Sequence, residues 1–215
     1  MQILLCAATE FEVSHTKEFI KKKGLENTIQ LLITGVGMIA ATYAITKGVF
    51  TTKPSIILQA GVAGSLTTDY SLGAVAVVGN EVIGDAGVEE KENFLSLFDL
   101  NLLNENSLPW QNKRLPNKHQ PLLEIAALPV VSAVTVNEIT TNPKKIKYYK
   151  TEWEASLESL EGAALHYVAG IENIPFLQLR SVSNFVGERD KRKWALDKAI
   201  TALNNELQQL ILKII

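Results

Sequence analysis

Cysteine is almost missing from this chain, which carries only Cys6 in 215 residues. One thiol cannot form an internal disulfide, and its place inside the apolar run ILLCAA reads as a buried, inert group suited to a reducing cytosol. A surplus of positive charge is missing as well. The 21 Lys and Arg residues stand against 23 Asp and Glu, for a formal net charge of -2. The single cationic cluster, Lys21 to Lys23, falls where a first helix would end and where cations favour the helix dipole. No basic footprint for nucleic acid remains. Nor does any segment approach the roughly 18 to 20 uninterrupted apolar residues of a membrane span. The start, MQILLCAATE, lacks the cationic region and cleavage site of a secretory signal. A soluble cytoplasmic protein is expected. The three histidines, His15, His119 and His166, are scattered without Cys or carboxylate at ligand spacing, so surface or half-buried roles are expected of them and no metal site is.

What is present is a hydrophobic content of 47% over a length that suits one α/β domain, 1–215. Apolar runs of strand length alternate with segments of helical period, the pattern of helices packed around a mostly parallel sheet. Strands are expected at 2–8, 28–34, 55–60, 73–83, 122–136 (broken near Pro129), 155–160 and 175–182. Helices are expected at 10–23, 37–51, 142–151, 161–171 and 190–214. The last has Leu196, Ile200, Leu203, Leu207, Leu210, Ile211 and Ile214 on one stripe. Between 86 and 121 the pattern fails, and an irregular excursion with a short helix is expected there. Its Phe94, Phe98 and Trp110 argue against full disorder.

Two glycine-rich stretches invite cofactor readings. GVGMIA, 35–40, fits G-x-G-x-x-A between a strand and a helix. A dinucleotide site wants an acidic residue about 20 positions on, yet none follows Gly35 until Asp69. The favoured reading is a tight turn that brings backbone amides to a small ligand or water at a helix N-terminus. AGVAGSL, 60–66, reads as a second glycine turn and lacks the Lys-Ser/Thr of a P-loop. No cofactor is expected.

Polar residues at strand ends carry more. Glu12 closes a T-x-x-E capping box begun by Thr9, which needs no function. It also lies beyond the carboxyl end of the first strand, where open parallel sheets bind ligands. Glu161, in SLEGAAL, complements a helix dipole or accepts hydrogen bonds from both hydroxyls of a sugar diol. Arg180 and Asn184 come from the last strand, in LRSVSNFVGERD. Asn184 reads either as turn punctuation or as a group that chooses a substrate.

In order and spacing, AATEFEV, TGVGMIAAT, QAGVAGSL, SLEGAAL and RSVSN are similar to the purine nucleoside phosphorylase and methylthioadenosine nucleosidase superfamily over nearly the whole chain. Within it, GDAGVEE (84–90) and RSVSNFVGERDKRKW (180–194) most resemble the futalosine hydrolases, which remove hypoxanthine from futalosine in an alternative menaquinone pathway. The resemblance implies an α/β fold, a three-layer α/β/α sandwich around a mixed, partly barrel-like sheet, and a homodimer or higher homo-oligomer. It implies that Glu12 activates the hydrolytic water, that Glu161 holds the ribose hydroxyls, and that Arg180 is the cation beside the water and Glu161. Gly61, Val62, Val136, Leu160 and Phe185 would line the purine nucleoside site, without metal or cofactor. Asn184 falls where the adenine-specific nucleosidases carry Asp.

That departure implies a base. An Asn amide can donate to the 6-oxo group of hypoxanthine while its carbonyl accepts from a protonated N7, whereas an ionised Asp would set lone pair against lone pair. The nucleophile is implied by TEFE at the first strand end, which offers a carboxylate and no arginine for phosphate, so hydrolysis is favoured over phosphorolysis. The alternatives are an inosine-type phosphorylase, a methylthioadenosine or aminodeoxyfutalosine nucleosidase, and a nucleoside-binding protein without chemistry. Arg189, Lys191 and the 86–121 region are the candidates for holding a 5' extension of the substrate.

Overall fold

The computed structural model describes residues 1–91 and 93–215; Glu92, inside the expected excursion, lies outside the described residues. The sheet starts with β1 (Ile3–Ala7), flanked in parallel by β2 (Ile29–Ile33) and β3 (Ile56–Ser65). Beyond β3 it closes on itself. β10 (Phe176–Phe185) pairs with both β3 and β4 (Val75–Ile83), β4 with β8 (Val130–Thr135), β8 with β9 (Leu157–Ser159), and β9 returns to β3. The result is a barrel-like ring of mixed pairing with β1 and β2 as an extension, as the resemblance implied. A two-residue β7 (Leu115–Pro116) adds to β4.

Period-two alternation along β1 divides the helical layers. Ile3, Leu5 and Ala7 face one cluster with Val13 and Ile20 of α1 (Glu10–Lys23) and Leu203, Leu207 and Leu210 of α6 (Leu196–Ile214). Leu4 and Cys6 face the other, with Ala41 and Ile45 of α2 (Met38–Thr52) and Ala164 and Leu165 of α5 (Gly162–Glu172). Cys6 is buried, and that burial pushes its thiol pKa far up, so it stays protonated. Helix α1 is bounded as its sequence predicts, with Glu10 and Glu12 in its first turn, Lys21, Lys22 and Lys23 in its last, and Gly24 at φ 66° closing it. Among the described residues no helix is long and apolar enough to cross a membrane.

Several expectations are corrected. The run 122–136 is not one broken strand: α3 (Gln120–Ala126) precedes β8, because Leu123 and Ala126 are buried at helical spacing within an apolar run that hides its period. The stretch Gly61–Ser65 is not a turn but the second half of β3, and β10 likewise runs on to Phe185, so Asn184 sits in a strand. Among the described residues the excursion holds no helix before α3. It contains a hairpin of β5 (Gly87–Glu90) and β6 (Asn93–Ser96), then turns anchored by Trp110, whose ring meets Phe98 edge-on at 5.1 Å. Helix α4 (Pro143–Thr151) is capped by Asn142, which accepts from the Lys144 N–H at 2.9 Å. The expected helix 190–214 is two pieces, a 3-10 turn at Lys191–Lys193 capped by Asp190, and α6.

Candidate active site

The carboxyl ends of β1, β3 and β10 and the N-termini of α1, α2 and α5 meet at a cleft of about 320 Å³. That is the lower end of the usual range for small-molecule sites, ~300 to 1,000 Å³. Its walls include Glu12, Val62, Gly64, Glu158, Leu160 and Glu161, with Asn184 on another side.

Glu12 does what the capping box requires and more. Its Oε2 accepts from the Thr9 N–H at 3.0 Å and the Thr9 hydroxyl at 3.1 Å, while Oε1 accepts from the Val62 N–H at 3.0 Å. Both readings of Glu12 thus share one geometry, because the cap fixes one carboxylate oxygen and aims the other at β3. The helix is also opened beneath it. Backbone geometry departs from helical at Val13 (φ -124°, ψ 16°), where a regular helix would bond Thr16 N–H to Glu12 C=O. Instead the Asn204 amide of α6 fills the gap: its Nδ2 donates to Glu12 O at 2.8 Å and its Oδ1 accepts from Thr16 N–H at 2.9 Å and from the Thr16 hydroxyl at 2.7 Å.

Glu161 is the N-cap residue of α5, yet its side chain serves a different helix. Its Oε1 accepts from the Gly37 N–H at 3.0 Å, and its Oε2 lies 3.6 Å from Arg180 Nη1. Gly37, the N-cap of α2 at φ 94°, is a residue of the GVGMIA turn. The amide expected to approach a ligand approaches a carboxylate instead. Arg180 lies behind this pair, buried, with Nη1 3.3 Å from Val62 O and Nη2 3.4 Å from Gln59 Oε1. Gly61 is what lets these groups meet, since a Cβ there would stand 2.5 Å from Arg180 Nη1 and 2.9 Å from Glu12 Oε1.

At the far end, Asn184 follows a bulge in the pairing of β10 with β3. Ser183 Oγ donates to its Oδ1 at 2.8 Å, and its Nδ2 donates to Phe185 O at 3.1 Å. The amide is thereby oriented with one N–H and one acceptor lone pair still available. Leu160 and Val62 border the cleft, but Phe185 is not among its lining residues, and Val136 is wholly buried against Tyr149 and Trp153. Arg189 reaches the rim beside Trp194, its guanidinium 5.6 Å from that ring, while Lys191 is exposed. His166 is not surface or half-buried as expected: it lies in the interior with Nδ1 2.8 Å from Leu115 O, and burial pushes its pKa down to about 4. Among the described residues no group of histidine, cysteine and carboxylate side chains could hold a metal.

Residues 3–215 match the family profile of the phosphorylase superfamily. The chain belongs to that superfamily. It is 28% identical over 194 residues to the futalosine hydrolase of Thermus thermophilus, covering 90% of this chain and 86% of that one. Its fold is shared with the futalosine hydrolase of Helicobacter pylori, at a TM-score of 0.83 and 18% identity over 99% of this chain and 98% of that chain. It is shared equally with the 5'-methylthioadenosine/S-adenosyl homocysteine nucleosidase of the same organism, at a TM-score of 0.82, 18% identity and the same 99% and 98% coverage. The family and fold implied by the quoted motifs are both borne out.

Within this superfamily member the structure adds site residues that the sequence pattern did not point to. Glu158 lines the cleft although it comes from a strand of three residues, and its signal was a carboxylate in an otherwise buried segment. Glu81 does not line the cleft but is wholly buried, its Oε1 accepting from the Thr135 hydroxyl at 3.0 Å. Burial pushes its carboxyl up to about 7 against the pull of Arg180 and of its hydrogen bonds.

Proposed function

We propose that the chain is a purine nucleosidase that hydrolyses the N-glycosidic bond of futalosine and releases hypoxanthine, as the alternative menaquinone pathway requires. The observation that carries this reading is the fixed Glu12 carboxylate at one end of a nucleoside-sized cleft and the oriented Asn184 amide at the other. The hydrolase relatives named above support the same reaction.

The chain is an N-glycosyl hydrolase whose nucleophile is water activated by Glu12. General-base catalysis of this kind contributes about 100 to 10,000-fold. Oε1 already accepts the Val62 N–H, and its remaining lone pair takes the proton of the attacking water. Glu161, fixed by Gly37 and Arg180, accepts from the ribose hydroxyls. The two carboxylates together favour the positive charge that develops on the sugar. Arg180 is committed to Val62 O, Gln59 and Glu161, so a phosphate nucleophile would have to compete with a carboxylate for this guanidinium. Asn184 donates to O6 and accepts from N7 as that nitrogen gains a proton from solvent, which stabilises the leaving base.

We read the chain as one cytoplasmic domain that works as a homodimer. Helix α2 turns Ile39, Tyr43 and Phe50 to solvent, 84%, 70% and 62% exposed, on the face opposite its buried Ala41, Ile45 and Val49. An apolar stripe of this kind fits a second copy of the same chain. The deciding assay incubates the purified protein with futalosine, without phosphate, and follows free hypoxanthine by chromatography. Release is expected; strict dependence on phosphate, with inosine as the better substrate, would replace hydrolysis by phosphorolysis.

A further inference from the structure

Helix α5 opens at Glu161, and a side-chain acceptor in that N-cap place ordinarily turns back onto the N–H of the second or third residue of its own helix. Here both of those amides are taken, and so is the first. The Gly162 N–H goes to Ser159 Oγ at 3.3 Å, the Ala163 N–H to Thr135 Oγ1 at 2.7 Å, and the Ala164 N–H to the main-chain oxygen of Glu161 at 3.1 Å. The start of α5 is thus capped from the sheet. The Glu161 carboxylate, released from its own helix, reaches Gly37 and Arg180 instead.

The substitute cap is assembled by strand pairing. Thr135 of β8 stands in register with Ser159 of β9, so the two side chains project from one face of the sheet. Glu81 of β4 is the register partner of Ala133, two residues before Thr135, and shares that face. A threonine hydroxyl has one proton to give. Thr135 gives it to Glu81 Oε1 at 3.0 Å, which leaves its lone pairs to the Ala163 N–H. Gly162 lets the first turn of α5 settle onto this pair, since a Cβ there would collide with Glu81 Oε2 and Gln178 Nε2. Thr135 and Glu81 are both wholly buried, and neither lines the cleft.

We propose, resting on the purine nucleosidase reading above, that Thr135, its hydroxyl turned by Glu81, is a positioning residue for Glu161. By occupying the Ala163 N–H it keeps the ribose-holding carboxylate from folding back onto its own helix. Without that hydroxyl the positive end of α5 offers a bare amide two residues from a carboxylate, and the helix dipole draws the two together. Glu161 then leaves Gly37 and Arg180, and its grip on the ribose hydroxyls weakens. Contacts to the base are unaffected.

The test titrates inosine and 2',3'-dideoxyinosine, which lacks both ribose hydroxyls, into the full-length wild-type protein and into Thr135→Val, Thr135→Ser and Thr135→Cys, by calorimetry. Wild type should favour inosine by about ten-fold or more, the effect of hydrogen bonds to a charged acceptor. Thr135→Val, which keeps the shape and removes the acceptor, should bind inosine about ten-fold more weakly while binding the dideoxynucleoside as wild type does. Thr135→Ser retains the hydroxyl and should restore the preference. Thr135→Cys, a weak acceptor, should fall between them and carries the comparison if thermal unfolding shows that the Val variant does not fold. A Val variant that folds and keeps the wild-type preference, or that loses affinity for both nucleosides alike, overturns the positioning role and leaves the nucleosidase reading intact. Equal binding of the two nucleosides by wild type overturns it as well, while release of hypoxanthine from futalosine still decides the reaction. A wild type that binds neither nucleoside removes both.

Discussion

Asn204 donates to the carbonyl oxygen of Glu12 at 2.8 Å, across 192 positions of sequence, and in doing so replaces a rung of helix α1. The same amide takes the Thr16 N–H that would otherwise have bonded that carbonyl. The candidate base is thus seated on a joint between the first helix and the last. Replacing Asn204 with Leu leaves a buried carbonyl and a buried N–H without partners, at about 1 to 3 kcal/mol each unless the helix closes. Either outcome moves Glu12. The expected result is a lower melting temperature together with a kcat reduced at least ten-fold on futalosine; full activity in a folded Asn204→Leu protein would show that the joint does not position the base.

Glu12→Gln separates the capping and catalytic roles. Glu12 accepts from three donors, two on Thr9 and one on Val62, and an amide must turn an N–H toward one of them. A stability loss of about 1 kcal/mol is expected from the impaired cap. The kinetic effect should be far larger, a fall in kcat of about 100 to 10,000-fold with KM little changed, because a base acting on water contributes in the transition state alone. Steady-state kinetics beside a denaturation curve give both numbers. An unchanged rate with the stability loss alone would reduce Glu12 to its cap.

Much of this was legible from residue pattern, and the part that was not has physical reasons. The capping box, the lysines at the end of α1 and the stripe of α6 are local signals, and the structure follows them. The glycines of AGVAGSL read as a turn because glycine usually supplies one; here they are strand residues that admit Arg180, Glu12 and Val186 where a Cβ would collide. Leu122 to Val136 read as strand because an apolar stretch carries no visible period when both sides are buried. Glu158 had only the faint signal of a carboxylate in an otherwise buried segment, and Asn204 had none. One is paired across the sheet with Gly64 and the other bonds a helix at the opposite end of the chain, and neither relationship exists until the sheet has closed.

Asn184→Asp should change which base is preferred. The Ser183 hydroxyl can still donate to the new carboxyl, but the N–H that Asn184 gives to Phe185 O is lost, and two oxygens then face each other. The oxygen that replaces Nδ2 accepts from a 6-amino group but stands lone pair to lone pair against a 6-oxo group. The ratio of kcat/KM for 6-oxo over 6-amino nucleosides is expected to fall by about ten- to a hundred-fold, the effect of one to two mispaired buried groups. Matched assays on inosine and adenosine read this ratio, and an identical ratio in both proteins would remove Asn184 from base recognition.

Stability should depend on pH through Glu81. Its carboxyl is raised from 4.5 to about 7 in the folded protein, chiefly by burial, so folding favours the protonated form. The contribution is fully present below pH 4.5 and is lost as pH rises through about 7. Since each ten-fold change in proton affinity is worth about 1.4 kcal/mol, the contribution approaches about 3 kcal/mol. Melting temperature should therefore decline between pH 5 and pH 8, and Glu81→Gln, which stays neutral, should flatten that decline. A slope unaltered by the substitution would mean that Glu81 is ionised in the folded state at every pH tested.

The apolar stripe on α2 makes the last prediction. Ile39, Tyr43 and Phe50 follow one another along the exposed face of the helix, and Val36, 61% exposed, continues the stripe to the rim of the cleft together with Phe11, 56% exposed. If a second copy covers this face, burial of such side chains contributes about 1.5 to 3 kcal/mol each. A charge on both facing helices of a two-fold interface is introduced twice, so Tyr43→Asp should dissociate the dimer outright. Size-exclusion chromatography with light scattering is expected to show a dimer for the wild-type chain and a monomer for Tyr43→Asp. The monomer should also lose activity, because Phe11 and Val36 would then leave the cleft rim open to water. A wild-type protein that is monomeric at all concentrations, yet fully active, would assign the stripe to something other than self-association.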